Sequence, residues 1–243
     1  MGTRLDLALV DRGLAPTRAR ARDAVLRGHV SVDGRLADKP AMNVEAASAI
    51  TLDDPAAGYV SRGALKLIAA LDRFGFSPKD RAALDLGAST GGFTQVLLER
   101  GAAHVFAVDV GHGQLAPALA ADRRVTSLEG LNARDLTRDD LGEPVTAIVA
   151  DVSFISLRLV LPPALALAGA GAWGIFLVKP QFEVGRDNLG KGGIVRDPAL
   201  AERTAADIAT WLETELGWRT TGLILSPIAG GDGNREFLVG ATR

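Results

Sequence analysis

The sequence predicts an α/β protein: a mostly parallel sheet with helices on both faces, preceded by a small α+β module. The main observation is that apolar strand-like runs alternate with helical runs from Ala82 to the C-terminus, a pattern typical of parallel sheets. The first fifty residues instead combine two short helical runs with short extended pieces. Hydrophobic residues make up 47% of the 243 positions, which is enough for a buried core and argues against wholesale disorder.

The N-terminal module, residues 1–53, is built from short elements. Its first helical run ends at Gly13, and Thr17 is a suitable N-cap for a second helix that ends at Gly28. Asp33-Gly34 is a turn signal after the next strand, and two later extended pieces complete a small sheet. Because so short a module supports only a small core, we expect it to be an appended unit.

The larger domain, residues 62–243, follows a linker that we place at residues 54–61, which begins Asp-Pro-Ala-Ala-Gly. Residues 159–178 carry no charge and have the length of a membrane span. Pro162 and Pro163 instead predict the start of a short helix, which ends at the glycines before a core strand. The predicted strands are residues 82–86, 104–108, 125–128, 145–150, 173–178, 223–225 and 237–241, and the main helices are residues 93–100, 114–121 and 200–216.

Composition excludes several kinds of chemistry. The chain has no cysteine, which excludes disulfides, thiolate metal sites and methylation of a pyrimidine carbon through a cysteine nucleophile. With three histidines, we predict no metal site. The net charge of −2 means that any nucleic-acid site is a local patch. The N-terminus lacks the apolar region of a signal peptide, which predicts a cytoplasmic protein.

A glycine-rich loop follows the first strand of the larger domain. Its spacing, G-x-x-x-G-G from Gly87 to Gly92, differs from the G-x-G-x-x-G of dinucleotide enzymes. An acid inside the preceding strand and bare backbone amides suit a cofactor without phosphates, and we predict S-adenosyl-L-methionine. Asp109, at the end of the next strand, is placed to accept hydrogen bonds from ribose hydroxyls, and Asn132 to contact adenine. The predicted cofactor-binding residues are Asp85, Gly87, Ala88, Ser89, Gly91, Gly92, Phe93, Asp109 and Asn132.

Two lysines and two acids lie in elements whose ends are expected near one edge of this predicted sheet. Lys66 lies in the helix before the first strand, whereas Asp151 and Lys179 each end an apolar strand. Glu236 begins the last strand and reaches the same edge if that strand is antiparallel to its neighbour. A lysine accepts a proton only when neutral, and burial or a second ammonium favours the neutral form. We therefore predict proton transfer from a hydroxyl, with two ordinary salt bridges as the alternative.

The N-terminal residues resemble the S4 RNA-binding fold, through Arg4-Leu-Asp, Gly13-Leu, Thr17-Arg-Ala-Arg20, Gly28-His-Val-Ser-Val-Asp-Gly34 and Lys39-Pro40. The remainder resembles the TlyA group of FtsJ-like ribosomal RNA 2′-O-methyltransferases, through residues 59–67, 84–93, 108–115, 151–154 and 178–183. This resemblance implies a Rossmann-like methyltransferase sheet, methylation of cytidine 2′-hydroxyls, and a catalytic set of Lys66, Asp151, Lys179 and Glu236. One position departs from it, because the adenine-contacting residue is often aspartate in FtsJ relatives and is Asn132 here.

A basic cluster in the module predicts an RNA-binding surface. Four arginines crowd its second helix, and in the sequence only Asp23 opposes them. Few aromatics are present, so we expect phosphate contacts rather than base stacking. We also predict that the basic loop 185–196 folds over RNA, that the partner is ribosomal RNA in ribosomal subunits, and that the protein is a monomer. The predicted RNA-binding residues are Arg4, Arg18, Arg20, Arg22, Arg27, Lys39 and Arg62.

Other functions fit the sequence less well. A membrane-active haemolysin needs a spanning or amphipathic helix, and the best candidate segment is better explained as a helix and a core strand. An RNA-binding protein without catalysis leaves the two lysines and two acids unexplained. The glycine spacing disfavours a nicotinamide enzyme, and Asp151-Val-Ser-Phe lacks the prolines usual for amino methylation of a base.

Overall fold

The computed structural model describes residues 2–231 and 233–243. The chain divides into an N-terminal unit that ends at Gly58 and a C-terminal unit from Tyr59 to Arg243. This division falls inside the stretch predicted as a linker. Residues 54–56 belong to the N-terminal unit, where Ala56 is buried and Asp54 pairs with Arg27.

Two helices pack against short strands in the N-terminal unit. Thr17 caps the second helix as predicted, since its side chain accepts a hydrogen bond from the Arg20 N–H at 3.3 Å. Asp33 and Gly34 both have positive φ and form the predicted tight turn. The elements are β1 Thr3–Arg4, α1 Leu5–Asp11, α2 Arg18–Leu26, β2 Val30–Val32, β3 Arg35–Leu36, β4 Asn43–Val44 and β5 Ile50–Leu52. β1 pairs with β4, and β2 lies between β3 and β5.

The C-terminal unit is a seven-stranded sheet with helices on both faces. Its strands are β6 Ala82–Leu86, β7 His104–Asp109, β8 Val125–Glu129, β9 Val145–Ala150, β10 Ala168–Val178, β11 Arg219–Leu225 and β12 Phe237–Thr242. Its helices are α3 Gly63–Phe74, α4 Gly92–Glu99, α5 Pro117–Ala120, α6 Arg138–Leu141, α7 Leu157–Ala166 and α8 Pro198–Thr214. The strand order is β11-β12-β10-β9-β6-β7-β8. The five strands from β10 to β8 are parallel, and β12 is antiparallel to β10 and β11, the orientation that Glu236 required.

Two helices differ from the sequence prediction. The predicted helix 114–121 is only α5, because the Glu129 carboxylate accepts hydrogen bonds from the N–H groups of residues 113–115 and holds them in a turn. α7 begins five residues before its prolines, because Ser156 and Glu183 cap its first N–H groups. Among the described residues, no helix is both long enough and apolar enough to cross a membrane.

Candidate active site

The glycine loop lies where β6 ends and α4 begins. Gly87 has a φ of +78°, and a Cβ there would lie 2.6 Å from the carbonyl oxygen of Asp151. Only glycine therefore allows the loop and the end of β9 to approach this closely. The loop is also tied to the next strand, because the Ser89 N–H donates to Asp109 Oδ2 at 2.8 Å. The result is a cleft at the carboxyl ends of the parallel strands, where α/β sheets bind ligands.

One part of the cleft, the Asp109 cavity, is a slot of about 430 Å³. Asp109 Oδ1 accepts from the Gly111 N–H, and the Asn132 side-chain oxygen accepts from the Arg134 N–H. The amide nitrogen of Asn132 can therefore donate to a ligand. The walls combine these polar groups with apolar side chains, and this combination suits a nucleoside. The lining residues include Gly87, Ser89, Val108, Val110, Leu131, Val152 and Ile155.

Asp85 lies under the loop rather than in the cleft. It is fully buried and lines neither cavity, so the predicted direct contact with the cofactor is corrected to a supporting position. Its Oδ2 accepts a hydrogen bond from Thr94 Oγ1 at 2.7 Å, and its Oδ1 has no partner within the described residues. Burial raises the pKa of the Asp85 carboxyl to about 7, against the opposing effect of the Thr94 hydrogen bond.

The second part of the cleft, the Lys179 cavity, has a volume of about 290 Å³ and is lined by Lys66, Asp151 and Lys179. Lys179 Nζ lies 2.6 Å from Asp151 Oδ1 and 2.8 Å from Ser153 Oγ. Lys66 Nζ lies 2.5 Å from Glu236 Oε2, and this pair is buried. The four residues thus come together as two lysine–carboxylate pairs, although Glu236 itself is not among the residues that line the cavity. Asp151 lines both cavities and marks their junction.

The loop residues divide by role. Gly87, Ala88, Ser89, Gly92 and Phe93 line the Lys179 cavity. Gly91 does not; it has a φ of +97°, and a Cβ there would collide with the side chains of Leu115 and Leu119. The sequence reasoning missed Ser153 and Phe154, which also line the cleft. Their position two and three residues after Asp151, at the carboxyl end of β9, is the signal that could have identified them.

In the N-terminal unit, three acids lie among the predicted RNA-binding arginines, where the sequence indicated one. Buried Asp6 accepts hydrogen bonds from Arg4 and Arg18. Arg27 is bound on both sides by Asp23 and Asp54. The expectation that Asp23 alone opposes the cluster was wrong, because tertiary packing brings in acids that are distant in sequence.

The remaining predicted RNA-binding residues differ in exposure. The Arg20 side chain donates to the Ala56 carbonyl, whereas Arg22 and Lys39 are exposed. Arg62 belongs to the C-terminal unit and lines the Lys179 cavity. The predicted set is therefore divided between the two units.

Comparison with known proteins now identifies the family. The family model described as FtsJ-like methyltransferase matches residues 59–243, and that of the S4 domain matches residues 3–50. The chain belongs to the FtsJ-like methyltransferase family. Each of the two units of this FtsJ-like methyltransferase thus matches one family model. The predicted fold class is confirmed.

Relatives similar over most of the chain have two kinds of name. The 16S/23S rRNA (cytidine-2′-O)-methyltransferase TlyA of Mycobacterium tuberculosis is 48% identical over 97% of this chain and 88% of its own length. Hemolysin A of Brachyspira hyodysenteriae is 37% identical over 97% of this chain and 98% of its own length. A solved structure from Streptococcus thermophilus, also named as a hemolysin, has a TM-score of 0.78 and 40% identity over 100% of this chain and 88% of that one. The FtsJ-like methyltransferase is thus an enzyme of the TlyA type.

Proposed function

We propose that this methyltransferase transfers the methyl group of S-adenosylmethionine to the ribose 2′-hydroxyl of a cytidine in ribosomal RNA, within ribosomal subunits. The observation that carries the proposal is the presence of two lysine–carboxylate pairs at the Lys179 cavity, which adjoins the Asp109 cavity at Asp151. The name of the TlyA relative supports the choice of substrate. The S4 domain supplies the RNA-binding surface.

The residues of the cleft fit the proposed cofactor. Its sulfonium supplies an electrophilic methyl group when bound. Asp109 would accept hydrogen bonds from the ribose hydroxyls, and the Asn132 amide would bind the adenine edge. The N–H groups of Gly87, Ala88, Ser89 and Gly91 already donate within the protein. The carboxylate of the methionine part would therefore be received by the N–H groups at the start of α4, at Gly92 and Phe93. Asp85 supports this loop from below through its hydrogen bond to Thr94 in α4.

Lys179 is the proton acceptor in this proposal. With the cofactor bound, the Lys179 amine would take the proton of the ribose 2′-hydroxyl as the hydroxyl oxygen receives the methyl group. Nζ of Lys179 forms an ion pair with Asp151 and donates a hydrogen bond to Ser153. Lys66 contributes a fixed positive charge at the same cavity, which Glu236 keeps in place.

The experiment measures methyl transfer from labelled S-adenosylmethionine to separated ribosomal subunits from a strain that lacks this enzyme. Nuclease digestion and mass spectrometry then locate the label. The expected product is 2′-O-methylcytidine at defined positions. Label on a base would contradict the reaction, and no transfer to subunits or whole ribosomes, with cofactor binding established, would contradict the substrate.

The hemolysin name of some relatives motivates one control. We propose that the protein is a monomer that does not insert into membranes and acts in the cytoplasm. Co-sedimentation with liposomes of anionic and neutral composition tests membrane binding, and analytical ultracentrifugation tests the oligomeric state. Stable liposome binding that resists high salt would favour the membrane-active alternative.

A further inference from the structure

Asp6 is an unusual residue of the S4 domain, because it is a buried acid whose partners are half-exposed. The Asp6 side chain is 1% exposed, whereas those of Arg4 and Arg18 are 42% and 56% exposed. Arg4 donates to it through Nε at 3.1 Å and Nη2 at 2.9 Å. Arg18 donates through Nε at 3.0 Å. One carboxylate therefore fixes two guanidinium groups side by side.

Local structure explains why these residues meet. Arg4 immediately precedes α1, Asp6 lies in its first turn, and Arg18 begins α2, which packs against α1. The Asp6 N–H donates to the Pro40 carbonyl, so Lys39 belongs to the same corner of the domain. Hydrogen bonds from Arg4 and Arg18 hold the pKa of the Asp6 carboxyl well below its ordinary value, as expected for a buried charge with cationic partners.

The use of donor atoms distinguishes Arg18 from its neighbours. Both terminal nitrogens of Arg12 donate to the carbonyl oxygens of residues 45, 46 and 48. Nε and both terminal nitrogens of Arg27 donate to two acids. Arg18 uses only Nε within the described residues, so its two terminal nitrogens stay available at a half-exposed position. A guanidinium fork of this kind matches phosphate oxygens.

We propose that Asp6 is a positioning residue, which holds Arg4 and Arg18 as a two-arginine clamp for an RNA phosphate. Two free guanidinium groups would repel each other and lose rotamer freedom on binding. The carboxylate between them offsets the repulsion and fixes the side chains before RNA arrives. This inference rests on the proposed function, since it assumes that the S4 domain binds ribosomal RNA.

The decisive variant is Asp6→Asn, with Asp11→Asn as a matched control, because Asp11 is an exposed acid of the same helix. Both changes remove one negative charge, but only the first releases the arginines. For Asp6→Asn we expect the KM for ribosomal subunits to rise about tenfold, with kcat at saturating subunits unchanged. The slope of log affinity against log salt falls in magnitude by about 1 to 2. Asp11→Asn leaves the KM unchanged or lowers it.

Variants of Arg18 keep the test decisive if Asp6→Asn folds poorly, because Arg18→Lys and Arg18→Ala leave Asp6 in place. Arg18→Lys retains the charge at an exposed position but loses the fork, and we expect it to weaken binding as much as Arg18→Ala. In a protein that already carries Arg18→Ala, Asp6→Asn should raise the KM for ribosomal subunits less than it does in the unchanged protein. If Asp6→Asn tightens binding with a steeper salt slope, or Arg18→Lys binds like the unchanged protein, the clamp is refuted and Asp6 only neutralises charge. Failure of the proposed function would appear separately, as no methyl transfer by the unchanged enzyme.

Discussion

The two lysine–carboxylate pairs of the cleft differ in how much water reaches them. In the Lys66–Glu236 pair the side chains are 9% and 3% exposed, and in the Lys179–Asp151 pair they are 11% and 22% exposed. The second pair also has a hydroxyl partner, Ser153, that lines both cavities. A closed pair fixes a charge, whereas an open one can exchange a proton with a substrate or with water. The difference, which lies mainly in the acids, supports the proposal that the closed pair gives electrostatic support and the open pair transfers the proton.

The largest effect is expected from Lys179→Ala, which removes the open lysine. We expect kcat to fall by about 10²–10⁴-fold, the range typical of general base catalysis, while the affinity for S-adenosylmethionine stays nearly unchanged. Single-turnover methyl transfer and calorimetric cofactor binding measure the two quantities. Full activity in this variant would refute the assignment of the proton acceptor.

Removing the acid from each pair tests the comparison through stability. Glu236→Ala leaves the Lys66 ammonium buried without its acid, and we expect the free energy of unfolding to fall by about 3–5 kcal/mol. Asp151→Ala should cost less, because water and Ser153 can still solvate Lys179. Denaturant unfolding of both variants gives the comparison.

A double variant controls for simple packing loss at the closed pair. Lys66→Met with Glu236→Leu replaces both charges by apolar side chains of similar size, which should restore stability but not turnover. Equal stability losses in Glu236→Ala and Asp151→Ala would remove the distinction between the two pairs.

Asp85 extends the comparison to a buried acid that is not paired with a lysine. Because its pKa is raised to about 7, the folded state keeps a proton that the unfolded chain has already released above about pH 4. Stability therefore falls as pH rises from about 4 to about 7. Asp85→Asn keeps an acceptor for Thr94 and avoids the charge. We expect this variant to be more stable than the unchanged protein at pH 8, by at most a few kcal/mol, with the difference gone near pH 4. A stability difference that does not change with pH would show that Asp85 is not titrating.

The sequence predicted strand ends better than side-chain environments. Asp151 and Lys179 were placed correctly because each follows an apolar run, and the end of such a run in a parallel sheet is the ligand edge. Asp85 also lies in an apolar run, but only the fold shows that it packs under the loop against Thr94. The partners of Arg18 and Arg27 could not be read from the chain, because Asp6 and Asp54 are 12 and 27 residues away. Two-residue strands such as β1 and β3 leave no periodic signal.

The smallest predicted effect comes from comparing an exposed arginine of the S4 domain with one that is held in ion pairs. Arg22 is exposed on α2, whereas Arg27 is held by Asp23 and Asp54. Arg22→Ala should weaken binding to ribosomal subunits several-fold and reduce the salt slope by about 1, as expected when one phosphate contact is lost. Arg27→Ala should lower the melting temperature and change RNA affinity less than Arg22→Ala does, because its guanidinium already serves two carboxylates. Filter binding at several salt concentrations, with thermal unfolding of both variants, measures this. If Arg27→Ala flattens the salt slope more than Arg22→Ala, then RNA competes with Asp23 and Asp54 for Arg27, and the ion pairs of this domain open when RNA binds.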